Sequence, residues 1–263
     1  MFERKIKLLI DNNIVPVVVF DGDSLLSKEK TNQERKIRKA KYKEEIERLI
    51  AKKFYNKAKE IMKRCISVSR KIVYDITKLL KKLNIEYIIA PYEADAQLYF
   101  LEEIKYIDFI LTEDSDLIPY GCKNILFKFD NLYVDHYTID CLLKAKDNIF
   151  KEYIQDICIL SGCDYADSIP GIGVLTAHKL ISKFKTIEKV VEFVKYRKKV
   201  PSNYMESFNL AKITFNHHIV YNPNSKKRQN INPIMEKYDF LGTLDEVDYS
   251  FEQENLLYFN KQN

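Results

Sequence analysis

The stretch Ile85–Leu98, IEYIIAPYEADAQL, decides how this chain folds. Its first six residues (85–90) form an apolar run of strand length, and Pro91 and Tyr92 then lead into a helix. A strand passing directly into a helix is half of a βαβ unit. The same reading fits VPVVVF (15–20), and IDFIL (107–111) and NILFKF (124–129) are shorter candidates. The order strand, long helices, strand, helix, strand predicts an α/β domain with a mostly parallel sheet flanked by helices over residues 1–137. NLYVDHYT (131–138) reads as an edge hairpin arm. Beyond about residue 138 strand signals stop, and 149–160, 174–184, 186–198 and 203–220 read as helices, so 138–263 is expected to be a helical region packed on the sheet domain. Residues 28–83 contain neither Gly nor Pro and are too long for one crossover helix. Two helices are expected there, the first strongly basic.

With 263 residues and 46% hydrophobic content, the chain has enough apolar surface to bury a core. The net charge of +5 is unevenly placed. Residues 28–64 hold fifteen Lys/Arg against six Glu, 15 − 6 = +9, which leaves +5 − 9 = −4 for the remainder. A positive segment beside an acidic body suits a protein that holds a polyanion near metal-binding carboxylates, although a solvated helix face has the same composition. The five cysteines form no CxxC pair, which fits free thiols in a reducing compartment and argues against zinc. No apolar run reaches the roughly 18 to 20 residues of a membrane span, so a soluble, intracellular protein is expected; a monomer is a separate expectation.

Ligands of open α/β sheets bind beyond the carboxyl ends of the strands, and three strand ends here are acidic. Asp21 follows the first, Glu93 and Asp95 the second, and Asp114 and Asp116 the third. Each alone fits a turn or a helix cap; three together are a much stronger signal than any one of them. Glu93 and Asp95 would diverge by about 200° inside a helix, so both must sit at its first turn. Carboxylates gathered in this way raise one another's pKa unless a cation lies between them, and hard oxygen-seeking Mg²⁺ or Mn²⁺ is the usual remedy. In SGCDYADSIPGIGVLTAHKLI (161–181), Gly171 and Gly173 form a turn before a helix starting near Val174. Backbone there could approach a phosphate, although a lone GxG is weak.

APYEADAQL, TEDSDL followed by GCK, and ILSGCDY with PGIG resemble the structure-specific 5′ nucleases that include flap endonuclease, XPG and exonuclease 1. The forms EADAQ and GCDY are closest to exonuclease 1. The resemblance runs in order from VVVFDG to about residue 222. It implies a PIN-like nuclease core with a helical arch over about 28–83. It also implies two Mg²⁺ ions, or Mn²⁺, held by Asp21, Glu93, Asp95, Asp114, Asp116 and Asp164. Lys28 and Arg35 would grip the scissile phosphate, and Arg38 and Lys39 further along the basic helix would bind DNA. Residues 161–184 would form a helix-two-turn-helix that contacts duplex DNA through Gly171 and Gly173, with K⁺ on backbone oxygens near Ser161, Ser168 and Ile172. The implied substrates are 5′ ends, flaps, nicks and gapped duplex, in DNA repair in the nucleus, with mismatch-repair proteins as partners. QENLLYF (253–259) loosely resembles a sliding-clamp-binding peptide, but Asn260 stands where a second aromatic is expected, and the segment also fits a closing amphipathic helix. Family members carry a segment ahead of the point matching Met1 with a strand, a further aspartate and a DNA-bending wedge, and exonuclease 1 has a long C-terminal tail. On that comparison a catalytically impaired DNA-binding protein is the leading alternative. A phosphatase-like hydrolase built on FDGD (20–23) is another.

Overall fold

The computed structural model describes residues 2–130, 133–144 and 148–244; the 253–259 segment lies outside them. Helix α1 (Phe2–Asp11) buries Ile6 against Leu80 and Ile85, beneath the first strand pair. Strand β1 (Val17–Phe20) pairs in parallel with β2 (Glu86–Ile89), placing Val17 opposite Glu86 and Phe20 opposite Ile89. Their carboxyl ends therefore finish level with each other.

Three helices, not the two expected, connect β1 and β2: α2 (Glu29–Ala51), α3 (Tyr55–Cys65) and α4 (Arg70–Lys82). The first break is made without glycine. Lys53 takes a left-handed conformation, φ 61°, while its N–H donates to Ile50 O and that of Phe54 donates to Leu49 O. The second break is set by Ser69, whose side chain caps α4 by accepting the N–H of Ile72.

Helix α5 (Ala94–Glu103) follows β2, and β3 (Ile110–Leu111) pairs in parallel with β4 (Asn124–Asp130). Strand β5 (Tyr133–Thr138) runs antiparallel to β4, as the hairpin reading expected. The fold is α/β with parallel pairing at its core, but the strands form separate ladders, β1–β2 and β3–β4–β5. The third strand is shorter than its apolar run: Asp108 and Phe109 are exposed and lie ahead of it. Buried Glu102 ties α5 to the start of β4 by accepting the N–H groups of Lys123 (2.7 Å) and Asn124 (2.8 Å).

Short α6 (Leu117–Tyr120) lies between β3 and β4, and α7 (Ile139–Lys144), α8 (Asn148–Ser161), α9 (Val174–Phe184), α10 (Ile187–Lys195) and α11 (Tyr204–His217) make up the helical half. Helix α9 has the boundaries expected from sequence. The expectation that strands cease after residue 138 is corrected by the hairpin β6 (Ile219–Asn222) and β7 (Lys227–Asn230). Ile219 and Val220 extend the apolar pattern of α11 and so look helical in sequence. The chain instead turns extended at His218, and the Asn222 side chain caps the reversal by accepting from Asn224 and Ser225.

One large core joins the two halves, running from Phe100, Ile110 and Ile125 through Ile157 and Leu160 to Val190, Phe208 and Phe215. Among the described residues, no helix is long and apolar enough to cross a membrane.

Candidate active site

Asp21 follows β1, and its Oδ1 accepts the N–H of Ala94 at 2.8 Å, so a carboxylate from one strand end caps the helix that begins after the next. Gly22 makes this approach possible. Its N–H donates to Tyr92 O (2.7 Å) and that of Asp23 donates to Pro91 O (3.0 Å), while a Cβ at Gly22 would lie 1.9 Å from Ala90 O. Glu93 is the N-cap residue of α5 and Asp95 lies in its first turn, as their spacing requires. Beyond β3, Thr112 Oγ1 accepts the N–H of Asp114 (3.0 Å) and Asp114 Oδ1 accepts that of Asp116 (2.9 Å), a turn that sets both acids before α6.

The basic helix closes onto these acids. Lys28, just ahead of α2, places Nζ 2.7 Å from Glu93 Oε2 and 3.0 Å from Asp164 Oδ2, with its side chain only 15% exposed. Arg35 Nη2 lies 2.9 Å from both carboxylate oxygens of Asp164. Thr31 Oγ1 donates to the Asp164 carbonyl (2.8 Å), and Lys30 pairs with Asp167. Arg38 and Lys39 continue along α2, Arg38 exposed and Lys39 half-buried.

Charge is the governing property of the cluster. Burial, then Asp114, Asp21, Asp116 and Glu93, push Asp95 up to about 7. Burial and Asp114 also raise Asp116. Burial raises Glu93, against the pull of Lys28, with Asp21 and Asp164 adding to the rise. Burial alone would lower the Lys28 ammonium, but Glu93 and Asp164 outweigh it and hold the pKa above the ordinary lysine value. The donor set is all carboxylate, the chemistry preferred by hard divalent cations, and its mutual repulsion is what such a cation relieves. Among the described residues, no three of these acids stand close enough together to enclose one ion as they are.

A cleft of about 850 Å³ joins Asp116 and Asp164 to the turn region and is lined by Lys30, Ser161, Ser168 and Asn203. The Ser161 hydroxyl donates to Cys158 O (2.8 Å); Ser168 is exposed and Ile172 is buried. Gly171 takes φ 75° and Gly173 is extended, both exposed. Lys198 Nζ donates to the carbonyls of Pro170 (3.0 Å) and Gly171 (3.3 Å), so oxygens of this turn already face a cation.

Several supporting residues were not apparent in the sequence. Gln97 is fully buried, donating to Tyr221 O and accepting Tyr221 N–H, both at 2.7 Å, which pins α5 to β6. It stands in the EADAQL motif, but its partner lies 124 residues away. Behind the acids, Tyr120 Oη lies 3.4 Å from Tyr165 Oη and 3.3 Å from Nδ1 of fully buried His218. The Thr214 carbonyl, 3.2 Å from Nδ1, can only accept, so Nδ1 carries the proton. Burial pushes His218 down to about 4, opposed by the Thr214 carbonyl and aided by Lys28. Since an unfolded histidine titrates near about 6.5, the neutral ring contributes stability that is full above that pH and is lost as pH falls toward 4. The chain should lose up to about 1.4 kcal/mol per pH unit from this group across that interval. Asp95, held up to about 7, contributes in the opposite direction as pH falls, so the check is urea unfolding of parent and His218→Phe at pH 7 and pH 5: relative to the parent, the variant should gain stability on going to pH 5.

The chain matches the XPG N-terminal domain over residues 1–42 and the XPG I-region over residues 84–164. It is 39% identical to exonuclease 1 of Arabidopsis thaliana over 230 residues, 85% of this chain and 31% of that protein. The chain is homologous to exonuclease 1. It spans about a third of the length of the curated relatives it matches. In fold it resembles the catalytic core of Rad2 in complex with DNA substrate, at a TM-score of 0.59 and 19% identity, covering 97% of this chain and 81% of that one. The Holliday junction-resolving enzyme GEN1 in complex with product DNA, Mg²⁺ and Mn²⁺ aligns at a TM-score of 0.54 and 17% identity, covering 84% and 52%.

Proposed function

We propose that this chain is a divalent-metal-dependent 5′ nuclease that hydrolyses phosphodiesters at DNA ends and flaps. One observation carries the reading: Lys28, just ahead of the basic helix, lies between Glu93 after β2 and Asp164 in the loop after α8, and Asp21, Asp114 and Asp116 from the other two strand ends add their charge to the same acidic cluster. An acidic centre whose counter-charges come from a helix bearing an excess of Lys and Arg fits a polyanionic substrate. The homology to exonuclease 1 and the likeness in fold to nucleases bound to DNA support the same reading. Asp21, Glu93, Asp95, Asp114, Asp116 and Asp164 would hold Mg²⁺ or Mn²⁺. Bound there, such ions activate water and stabilise the leaving oxygen.

Lys28 and Arg35 stabilise charge developing on the scissile phosphate, and Arg38 and Lys39 hold the backbone beyond it. We assign residues 1–137 to the nuclease core and 138–263 to duplex binding. Gly171 and Gly173 let backbone approach phosphate, and backbone carbonyls near Ser161, Ser168 and Ile172 would hold K⁺. The contact of Lys198 with neighbouring carbonyls supports a cation-seeking turn. The setting would be nuclear DNA repair.

The deciding experiment incubates the chain with 5′-flapped, nicked and recessed duplexes in Mg²⁺, Mn²⁺ and EDTA, and with a small phosphate ester. Metal-dependent release of 5′ products is expected. DNA binding without cleavage would leave a non-catalytic binder, and ester hydrolysis alone a phosphatase.

A further inference from the structure

Residues 239–243 lie as a strap across the base of the basic helix. A 3₁₀ turn (Asp239–Leu241) buries Leu241 and packs against the turn Leu26–Lys28 that leads into α2. The strap is then fastened to Tyr92, the residue before Glu93. The Thr243 N–H donates to Tyr92 Oη at 2.9 Å, across 151 residues of sequence. Gly242, just ahead of it, has φ 95°, a conformation that a side chain strains, and a Cβ there would overlap the Tyr92 hydroxyl and ring. Glycine is required there for both reasons.

We infer that Tyr92 and Gly242 are positioning residues: through them and Leu25, the strap seats the Lys28 ammonium against Glu93, where it meets the scissile phosphate. Tyr92 serves both charged groups. Its ring packs with Leu25 and Ile219 in a small core of their own, and Leu25 is 2% exposed. Leu25 O accepts the N–H of Lys28 at 3.1 Å, so the seat of Leu25 fixes where the Lys28 backbone stands. On its other side Tyr92 O accepts the Gly22 N–H, and the chain passes directly into Glu93. Lys28 and Glu93 therefore hang from one ring, and the strap holds that ring by its hydroxyl. A segment that merely closed a core by apolar contact would need Leu241, but neither the hydroxyl bond nor a positive-φ glycine fitted onto it.

Geometry sets the size of the effect. Lys28 Nζ and Glu93 Oε2 meet at 2.7 Å with the lysine side chain 15% exposed, so the contact has little slack. A misplacement of about 1 Å can cost about 100-fold in rate. Loosening the strap shifts the lysine without removing it, so a loss of about tenfold is expected, smaller than that from removing Lys28 itself.

The inference rests on the proposed 5′ nuclease reading for the role of Lys28, and the test separates the two. Gly242→Ala, Lys28→Met and the double variant are compared with the parent for single-turnover cleavage of a 5′ flap in Mg²⁺ and for flap affinity in Ca²⁺. Metal-free parent and Gly242→Ala are also trace-labelled with acetic anhydride, and acetylation of Lys28 is read by peptide mass spectrometry. Gly242→Ala should lower the rate about tenfold while affinity stays within about twofold, and in the Lys28→Met background it should cost nothing further, again within about twofold. Acetylation of Lys28 should rise severalfold. Tyr92→Phe removes only the hydroxyl and should move both readings the same way by less; it carries the comparison if Gly242→Ala does not melt cooperatively above the assay temperature. An equal loss of rate in both backgrounds would make the strap a general brace of the fold. An unchanged rate with unchanged labelling of Lys28 would show that it positions nothing. Either result overturns the inference and leaves the nuclease reading intact. A parent that cleaves no flap overturns the nuclease reading, and the labelling alone then decides whether the strap seats Lys28.

Discussion

Asp114→Asn and Asp116→Asn should each reduce single-turnover flap cleavage in Mg²⁺ by about 100-fold or more, while flap affinity measured in Ca²⁺ stays within a few fold. Groups that only support metal ligands from behind cost about 10- to 100-fold when changed, so a direct donor should reach at least the upper end of that range. Asparagine keeps the shape of the turn. At residue 114 its amide oxygen can still accept the Asp116 N–H that Asp114 Oδ1 accepts now. The loss therefore reports charge, not folding. Stability should move in the opposite direction. Burial and neighbouring acids raise Asp95 and Asp116 from their ordinary values, so ionising them in the fold is costly. Removing one negative charge relieves that repulsion, and the metal-free variants should melt at or above the parent temperature. A variant that cleaves near the parent rate, or one that melts well below the parent, would show that the two acids are structural turn residues and not metal donors.

What could be read from the sequence followed the range of the interactions. Strand-to-helix transitions such as the one at Pro91 are local, and the apolar run, the proline and the first-turn acids all lie within 14 residues. The same locality made Glu93, Asp95, Asp114 and Asp116 recognisable as candidates. Asp164 was reached only through its SGCDY motif, because its partners Lys28 and Arg35 lie more than 120 residues earlier. The α2–α3 elbow was hidden because the left-handed residue there is lysine, where glycine is the usual signal. The β6–β7 hairpin was hidden because Ile219 and Val220 continue the helical pattern of α11. Gln97 and His218 could not be assigned roles at all, since a buried amide or imidazole acquires one only from the chain folded against it.

Lys28→Met should produce two effects that respond differently to metal. The ammonium lies between Glu93 and Asp164, whose side chains are 13% and 21% exposed, so its removal leaves poorly hydrated Glu93 without its nearest counter-charge and Asp164 with Arg35 alone. Breaking a fully buried pair costs about 3–5 kcal/mol; the residual exposure here brings the expectation to about 2 kcal/mol in the absence of divalent ions. Methionine preserves most of the apolar stem, so packing contributes little to that figure. Saturating Mg²⁺ should restore the melting temperature, because a cation among the same acids replaces the lost charge. Cleavage should not recover. If Lys28 also stabilises charge developing on the phosphate, the single-turnover rate at saturating Mg²⁺ and DNA should remain down by about 100-fold, near 3 kcal/mol, with affinity changed only slightly. Arg35→Gln should disturb stability less, since that side chain is 51% exposed and reaches Asp164 alone. Parallel loss of rate and affinity in Lys28→Met would reduce the lysine to a phosphate tether. A melting temperature equal to the parent's without metal would show that its contact with Glu93 and Asp164 carries no stability.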